Sequence, residues 1–529
     1  MGSGAEREFD GLADTVPGPS TEPVGTRLDD WWARTLRTPL RLRLWHWGGP
    51  IAVTLLAAVL RLWNLGNPHS LVFDETYYVK DAWTLLNLGY ESAWPDEPNP
   101  AFEAGNVDGY LTDPAFIVHP PLGKWLIALG LAAFGADDSV GWRISTALVG
   151  ILAVALLCAI ARLLFRSTLL ATIAGGLLAI DGHAIVLSRV ALLDNFLMFL
   201  VLLGFLAVLL DRANSKRRLD AWVARRPHHD WGPALWWRPW LIAAGLLFGL
   251  ASAVKWNGLY FLAFFAVYTL VVDALARRRA GVAFWASGTI LKQAPVSFLL
   301  TVPAAAAAYV ASWSGWFATS GGYYRHWAED AGNAWQGALA WVPLDWQSFW
   351  HYQVSAYNFH IGLSAPHSYS ANPWTWLFLT RPTSFYYSGS DGSAALITSL
   401  ANPIIWWAAT AALFYLVYRL IRYRQWRVGL IVTGVAAGYL PWLLYPTRTV
   451  FQFYAIAFEP FLILGLTLVL GIILGHRTDP AGRRLSGVRL VAVFLIAVVL
   501  VSAFFYPVWT GMTLPEPFIR SHFWLPGWR

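Results

Sequence analysis

Eleven long apolar runs are the feature that most constrains how this chain can fold. A helix needs about 20 apolar residues to cross the hydrocarbon core of a bilayer, and it satisfies its own backbone hydrogen bonds while doing so. The runs therefore predict an all-α polytopic membrane protein with about 11 transmembrane helices. They cover approximately residues 48–65, 142–164, 167–188, 194–211, 239–254, 259–276, 291–312, 403–420, 428–445, 454–474 and 490–506.

Composition excludes a soluble globular protein. Hydrophobic residues make up 57% of the chain and charged residues only 13%, whereas soluble domains carry about 25% charged residues. The formal charge of +7 comes from short basic clusters between apolar runs, which indicate topology rather than nucleic-acid binding. The single cysteine, Cys158, lies in an apolar run, so no disulfide can form within the chain.

The basic clusters predict the orientation of the chain. Arg34, Arg37, Arg41 and Arg43 precede the first run, and another cluster (216–226) follows the fourth, so the amino terminus is expected in the cytoplasm. No signal peptide is expected. The predicted organisation is a disordered cytoplasmic tail (1–30), an amino-terminal membrane module (31–312) with an outer loop (66–138), a second outer loop (313–399), and a carboxyl-terminal membrane module with an outer tail (400–529). The short apolar run 125–134 in the first loop favours an interfacial helix.

This topology gathers ionisable residues of both signs on the outer side. The positive-inside rule does not explain cations on the outer side, so these residues are predicted to bind a ligand or to take part in catalysis. Lysine and arginine suit a phosphate, and a nearby carboxylate can accept a proton from a hydroxyl nucleophile. The outer set is Asp74, Glu75, His119, Lys124, Arg143, Arg189, Asp194, Lys255, Arg381 and Arg448.

Each member of this set also has a simpler interpretation. Asp74 and Glu75 suit the first turn of a solvated helix, and Arg143 suits an interfacial side chain. Lys255 could satisfy carbonyls at a helix end, and His119 before two prolines could mark a rigid turn. His228-His229, in a basic loop, is typical of a solvated pair. Sequence motifs for P-loop, serine hydrolase and thiol-zinc sites are absent.

Four motifs occur in order along the chain: Phe73-Asp74-Glu75, His119-Pro120-Pro121-Leu122-Gly123-Lys124, Arg189-Val190-Ala191-Leu192-Leu193-Asp194 and Val254-Lys255-Trp256-Asn257-Gly258-Leu259. They resemble those of the dolichyl-phosphate-mannose protein O-mannosyltransferases, family GT39 of the GT-C glycosyltransferase superfamily. A further stretch, from His367 through Trp374 to Arg381-Pro382, resembles the carboxyl-terminal membrane region of that family. The resemblance runs from about residue 50 to 520 and is closest to a bacterial, actinobacterial-type member.

The resemblance implies a GT-C architecture and a reaction. Mannose would pass, with inversion, from a polyprenyl-phosphate carrier to Ser or Thr hydroxyls of proteins, on the extracytoplasmic face of a bacterial plasma membrane. Asp74 would be the general base and Glu75 its neighbour, orienting the acceptor or the base. Arg143 would contact the donor phosphate, helped by Lys255 and Arg189. The supporting or acceptor-binding residues would be His119, Lys124, Asp194, His367, Trp374, Arg381 and Arg448, with Arg189 and Asp194 paired to each other.

The resemblance has departures and open points. No β-trefoil insertion fits in the second outer loop, and Val118 stands where eukaryotic relatives often have Asp before His-Pro-Pro. Metal dependence is open: Asp74 and Glu75 could hold Mg²⁺ or Mn²⁺, or the cations alone could neutralise the phosphate. The expected partners are the donor, a Ser/Thr polypeptide, membrane lipid and, by analogy, the secretion translocon; nucleic acid is not expected.

Two other functions are compatible with the membrane character. A GT-C relative acting on a lipid or glycan acceptor would keep Asp74 and Arg143 and differ in the outer loop. A transporter of lipid-linked sugar would carry repeated halves and ionisable groups near the bilayer midplane, and the sequence has neither an evident repeat nor that distribution.

Overall fold

The computed structural model describes residues 26–225 and 230–529. The described chain is mostly helical, as predicted. The helices are α1 (Arg27–Thr35), α2 (Pro39–Leu62), α3 (Glu75–Leu88), α4 (Asn99–Glu103), α5 (Leu122–Phe134), α6 (Ser139–Phe165), α7 (Thr168–Ile180), α8 (Gly182–Arg189), α9 (Asp194–Ala224), α10 (Pro239–Val254), α11 (Asn257–Arg279), α12 (Trp285–Gly288), α13 (Ala294–Ser312), α14 (Ser314–Ala318), α15 (Leu344–Gly362), α16 (Pro403–Tyr423), α17 (Trp426–Tyr439), α18 (Glu459–Leu474), α19 (Ala481–Thr510) and α20 (Glu516–Arg520).

Every predicted apolar run contains a helix. Within the described residues, seven helices are long and apolar enough to cross a membrane, or eight when α7 and α8 are counted as one bent span. The helices of the remaining runs are α2, which carries arginines in its first turns, and the shorter α10 and α18. Large apolar side chains such as Val267, Val493 and Leu500 lie exposed on the bundle exterior, as expected of a surface that faces lipid. The chain is a multi-pass membrane protein.

The third apolar run is not one straight helix. The chain bends by 59° between α7 and α8, at Asp181. The Asp181 side chain accepts the backbone N–H groups of His183 and Ala184, so it caps a new helix in the middle of the apolar run. The sequence analysis did not predict this break, because apolar residues lie on both sides of Asp181.

Two predicted boundaries are wrong. Residues 26–30 belong to an ordered helix start rather than to a tail, because Thr26 and Asp29 form a capping box and Asp29 bonds Arg484 at 3.0 Å. The fourth run does not end at Asp211, since α9 continues to Ala224 and carries part of the predicted basic loop. The rest of the predicted tail, together with Arg226, His228 and His229, lies outside the described residues.

A small antiparallel sheet, which the sequence analysis did not predict, interrupts the helical architecture. Strands β1 (Thr383–Ser390) and β2 (Ser393–Ser399) form a hairpin, and β3 (Leu514–Pro515) pairs with β2, giving the order β1-β2-β3. Asp391 and Gly392 form the turn with φ angles of +43° and +82°. Asp-Gly is a preferred pair for such a hairpin turn and was the available sequence signal.

A buried ion triad joins three helices. Arg238, at the start of α10, lies 2.5 Å from Asp211 of α9 and 2.5 Å from Asp273 of α11. Asp211 is 17 residues beyond Asp194, so the triad lies about 25 Å along α9 from the start of that helix. A second buried ion pair, between Asp194 and Lys255, lies at the start of α9 and belongs to the candidate site. Buried charge pairs therefore join helices at both ends of α9.

Candidate active site

The peptide that carries Asp74 is held in an unusual backbone conformation. Phe73 has a φ of +50°, in the left-handed region that bulky side chains rarely adopt. Such conformations cost about 1–3 kcal/mol and persist where surrounding contacts enforce them. Here the Phe73 ring is enclosed by the rings of Phe385 (4.9 Å between centroids), Phe451 (5.5 Å), Phe453 (5.7 Å) and His367 (6.0 Å).

Asp74 follows at the amino end of α3 and is only partly buried. Burial raises the pKa of its carboxyl to about 6, against the opposing charge of Lys255 and with a further contribution from Asp194. The Tyr78 hydroxyl donates a long hydrogen bond of 3.4 Å to the carboxylate. Asp74 is thus ionised above about pH 6 and keeps an oxygen free to accept a proton.

Glu75 is fully buried and every acceptor position on its carboxylate is occupied. Oε1 accepts from Arg143 Nε and from the Ala191 N–H, each at 2.8 Å. Oε2 accepts from Arg143 Nη2 at 2.8 Å and from the Val72 N–H at 2.9 Å. A carboxylate offers about four such positions. Glu75 therefore fastens Val72, α6 and the segment after α8 to one another. Of the two predicted roles, this arrangement is compatible with orienting the base and leaves no acceptor position on Glu75 for a substrate hydroxyl.

Arg143 was predicted to contact the donor phosphate, but its donors are used within the protein. It is buried, and its five N–H donors make five hydrogen bonds, two to Glu75 and three to the carbonyls of Leu65, Pro68 and Ser70. No donor is left for a phosphate. Arg143 instead fixes the loop before Asp74 through Glu75.

Arg189 and Asp194 do not pair with each other. Arg189 donates to the carbonyls of Arg61, Trp63 and Asn64, where it caps the end of α2. Asp194 instead bonds Lys255, with 2.6 Å between Oδ2 and Nζ. Arg189 is therefore structural, and Asp194 positions the lysine.

Lys255 lies in the two-residue link between α10 and α11. Its backbone is extended, and Gly258 lets α11 turn back closely, since a Cβ there would lie 2.3 Å from the Ser252 backbone nitrogen. The ammonium group lies 4.9 Å from the centroid of the Tyr454 ring. One of its three N–H donors bonds Asp194, so the others remain for a ligand.

A cavity of about 90 Å³ opens beside Lys255. Arg448 is part of its lining and donates from Nη2 to His360 Nδ1 at 3.0 Å, while its Nε–H has no partner among the described residues. Two cations with unused donors thus face one cavity, close to a carboxylate. Its lining is His119, Lys255, Trp256, Asn257, Tyr260, Tyr357, His360, Ile361, Trp442, Tyr445, Arg448 and Tyr454.

The two histidines of this cavity are neutral. Burial lowers the pKa of His360 to about 4, and burial together with the nearby cations lowers that of His119 well below its ordinary value. A neutral ring explains the contacts of His360, whose Nε2 donates to the Val118 carbonyl at 2.9 Å while Nδ1 accepts from Arg448. The cavity therefore presents the positive charges of Lys255 and Arg448 only.

The chain matches a known protein family along most of its length. Residues 51–317 match the family of dolichyl-phosphate-mannose-protein mannosyltransferases, and residues 345–528 match the C-terminal four TMM region of protein-O-mannosyltransferase. The chain belongs to this family.

Similar proteins cover nearly its whole length. It is 37% identical over 510 residues to the polyprenol-phosphate-mannose–protein mannosyltransferase of Mycobacterium tuberculosis, covering 92% of each chain. It is 32% identical to the protein of the same name from Corynebacterium glutamicum, covering 92% of this chain and 94% of the relative. The S. cerevisiae Pmt1-Pmt2 complex bound to the sugar donor is similar with a TM-score of 0.69, at 17% identity and covering 97% and 96% of the two chains. That likeness shows the shared GT-C fold.

Other family motifs in this chain lie around the cavity rather than in it. Lys124 is buried, pairs with Glu91 at 2.7 Å and donates to the His119 carbonyl at 3.0 Å, so it holds the His-Pro-Pro turn. Arg381 bonds the carbonyls of Ser368, Gly527 and Arg529, and Trp374 is 60% exposed. His367 is exposed and contacts the site through the rings of Phe73 and Phe451.

Among the residues of the site that the sequence analysis missed are Tyr78, His360 and Tyr454. Tyr78 lies one helical turn after Asp74, a spacing that could have indicated it. His360 and Tyr454 come from distant segments, and no local pattern distinguishes either from the many other aromatic residues. Their role depends on tertiary packing, which places them against Arg448 and Lys255.

The adjacent carboxylates do not fit a shared metal site. A divalent cation held by both would need acceptor positions on Glu75, and those are all filled by N–H groups. Within residues 26–225 and 230–529, no group of three or more His, Cys, Asp or Glu side chains could hold a metal ion.

Proposed function

We propose that this chain transfers mannose from polyprenyl-phosphate-mannose to Ser or Thr hydroxyls of proteins, with Asp74 as the general base. The observation that carries the proposal is the placement of Asp74, a partly buried carboxylate with a pKa of about 6, within electrostatic reach of Lys255, which lines the cavity together with Arg448. Membership of the mannosyltransferase family supports the identity of the sugar and the acceptor class.

The phosphate of the donor would bind between Lys255 and Arg448. Each offers donors that no described protein group uses, and charge-assisted hydrogen bonds to phosphate are among the strongest that side chains make. Asp194 and His360 keep the two cations in place. Arg448 thereby takes the role that the sequence suggested for Arg143.

The polyprenyl chain would run from this cavity along the bundle. A larger groove of about 830 Å³ lies between α11 and α17. Tyr260 of α11 lines the phosphate cavity, and so does Trp442, which follows the end of α17. Its walls include Phe264, Val267 and Val432. An apolar groove beneath a cationic cavity matches a lipid with a phosphate head.

The chemistry is a single displacement at the anomeric carbon. The acceptor hydroxyl oxygen forms a bond to that carbon as the bond from the carbon to the phosphate oxygen breaks, and the configuration inverts. The hydroxyl proton passes to the Asp74 carboxylate, and polyprenyl phosphate leaves with its negative charge held by Lys255 and Arg448. Glu75 and Arg143 keep Asp74 in position without contacting either substrate.

The orientation of the chain in the membrane is part of the same proposal. The basic clusters before α2 and after α9 favour a cytoplasmic amino terminus, which places Asp74 on the extracytoplasmic side of a bacterial plasma membrane. Acceptor proteins would reach the site as they leave the translocon, with the donor supplied from the surrounding lipid.

The test is mannose transfer to a Ser/Thr peptide by purified enzyme supplied with labelled polyprenyl-phosphate-mannose. Asp74→Asn should lower kcat by about 10²–10⁴-fold, because it removes the proton acceptor while keeping the shape. Asp113→Asn is the matched control, since Asp113 is exposed in the same loop. Normal transfer by Asp74→Asn, at equal protein level, would refute the assignment.

A further inference from the structure

The edge strand β1 has unused backbone hydrogen-bonding groups. In the order β1-β2-β3 only one side of β1 is paired, and none of its residues makes a backbone hydrogen bond to any other described segment. Its second half, 387–390, is exposed and lies beyond the register irregularity between Ser384 and Tyr386, and this half contains neither Pro nor Lys, residues that commonly protect an edge. Such an edge is suited to pair with another extended chain.

This edge begins next to the catalytic carboxylate. The Phe385 ring stacks on Phe73 with 4.9 Å between centroids, and Phe73 directly precedes Asp74. Phe385 also contacts Phe453 at 5.3 Å, whose neighbour Tyr454 lies over Lys255. A chain lying along β1 would therefore run past the site of transfer.

One face of the same sheet carries a cavity of about 450 Å³. Ser384 and Tyr387 of β1 and their partners Thr398 and Leu396 of β2 form its floor. Tyr369 and residues near the end of the chain, among them Phe523 and Trp528, form its walls. Aromatic walls with hydroxyl groups accept side chains of varied chemistry.

We infer that β1 binds the acceptor polypeptide as an added strand, with alternate side chains over the cavity of Tyr369 and Tyr387 and the acceptor hydroxyl on the opposite side, towards Asp74. This inference rests on the proposed function and specifies how its acceptor is held. Side chains alternate across a strand, so residues on either side of the acceptor Ser or Thr face the cavity.

Strand addition accounts for a physical requirement of the reaction. An enzyme that modifies many proteins needs contacts that do not depend on their side chains, and main-chain hydrogen bonds supply them. It also selects acceptors that are still extended, because a folded segment has its backbone groups already paired. Modification would precede folding of the acceptor.

The test is a set of acceptor peptides in which a single backbone nitrogen is methylated, one position at a time, assayed with the full-length enzyme and labelled polyprenyl-phosphate-mannose. Methylation removes a donor and adds bulk. We expect the peptide KM to rise at least about fivefold at every second position and to change little at the positions between, while the donor KM stays constant. A uniform response, or none, would overturn the inference.

A side-chain variant gives a second readout. Tyr387→Ala should raise the KM for peptides with a large residue next to the acceptor, and should leave the donor KM unchanged. Trp341→Ala is the matched control, because Trp341 is 78% exposed and lies outside the cavity lining. An equal peptide KM for Tyr387→Ala and the wild type would contradict binding of the acceptor side chains in the cavity beside β1. Failure of the wild type to mannosylate the unmethylated peptide would refute the proposed function, and the inference with it.

Discussion

Replacing Arg143 distinguishes a positioning role from a phosphate-binding role. Arg143→Met removes five hydrogen bonds and leaves the buried Glu75 carboxylate without its counter-charge. Loss of one partner of a buried ion pair costs about 3–5 kcal/mol of folding free energy. A residue that only bound donor phosphate would instead leave the free energy of unfolding unchanged and raise the donor KM.

The assay is thermal unfolding in detergent together with donor KM, measured on the same preparations. Arg143→Met should unfold at a clearly lower temperature, and the fraction that remains folded should bind the donor normally. Arg41→Met is the control, because Arg41 is exposed and its side chain has no partner among the described residues. Adding Glu75→Gln to Arg143→Met should recover about 1 kcal/mol or more, since the uncompensated charge is gone. Unchanged stability with weakened donor binding would refute this reasoning.

Further outcomes follow from the charges and backbone of the site. The kcat/KM should rise with pH through about 6 and level off above about 7, because burial raises the pKa of Asp74 to about 6 and only its ionised form accepts a proton; a flat profile from about pH 5 to about pH 8 would contradict this. Lys255→Met and Arg448→Met should each raise the donor KM about 10- to 100-fold with the peptide KM unchanged, and a change in the peptide KM alone would reverse the assignment. Phe73→Ala should lower kcat about tenfold or more with little effect on donor KM, because the backbone can leave the left-handed conformation that directs Asp74; wild-type kcat would show that the aromatic enclosure is dispensable.

Much of the architecture could be predicted because membrane spans are encoded locally. The apolar runs located the long helices, and the mixed charges near their ends located the region of the site. The break at Asp181 could not be predicted, because it depends on one side chain capping a new helix inside an apolar run. The continuation of α9 beyond Asp211 was missed because the apolar run ends there, whereas the helix continues through charged residues to Ala224.

The roles of individual cations could not be read from the sequence. Arg143, Arg189 and Arg448 all follow or precede apolar runs and look equivalent in the chain. The structure separates them by the partners available: Glu75 and loop carbonyls for Arg143, the end of α2 for Arg189, and an open cavity for Arg448. Such differences arise from contacts between segments more than 60 residues apart.

Glu75 joins segments that are synthesised at different times. Its partners are Val72, Arg143 and Ala191, so its four hydrogen bonds are complete only once the chain has been made beyond residue 191. Until then a carboxylate without partners opposes burial of the preceding loop. The loop that carries Asp74 is therefore synthesised early and completed late, and in a nascent chain paused after α5 Glu75 still lacks the partners with which it is buried.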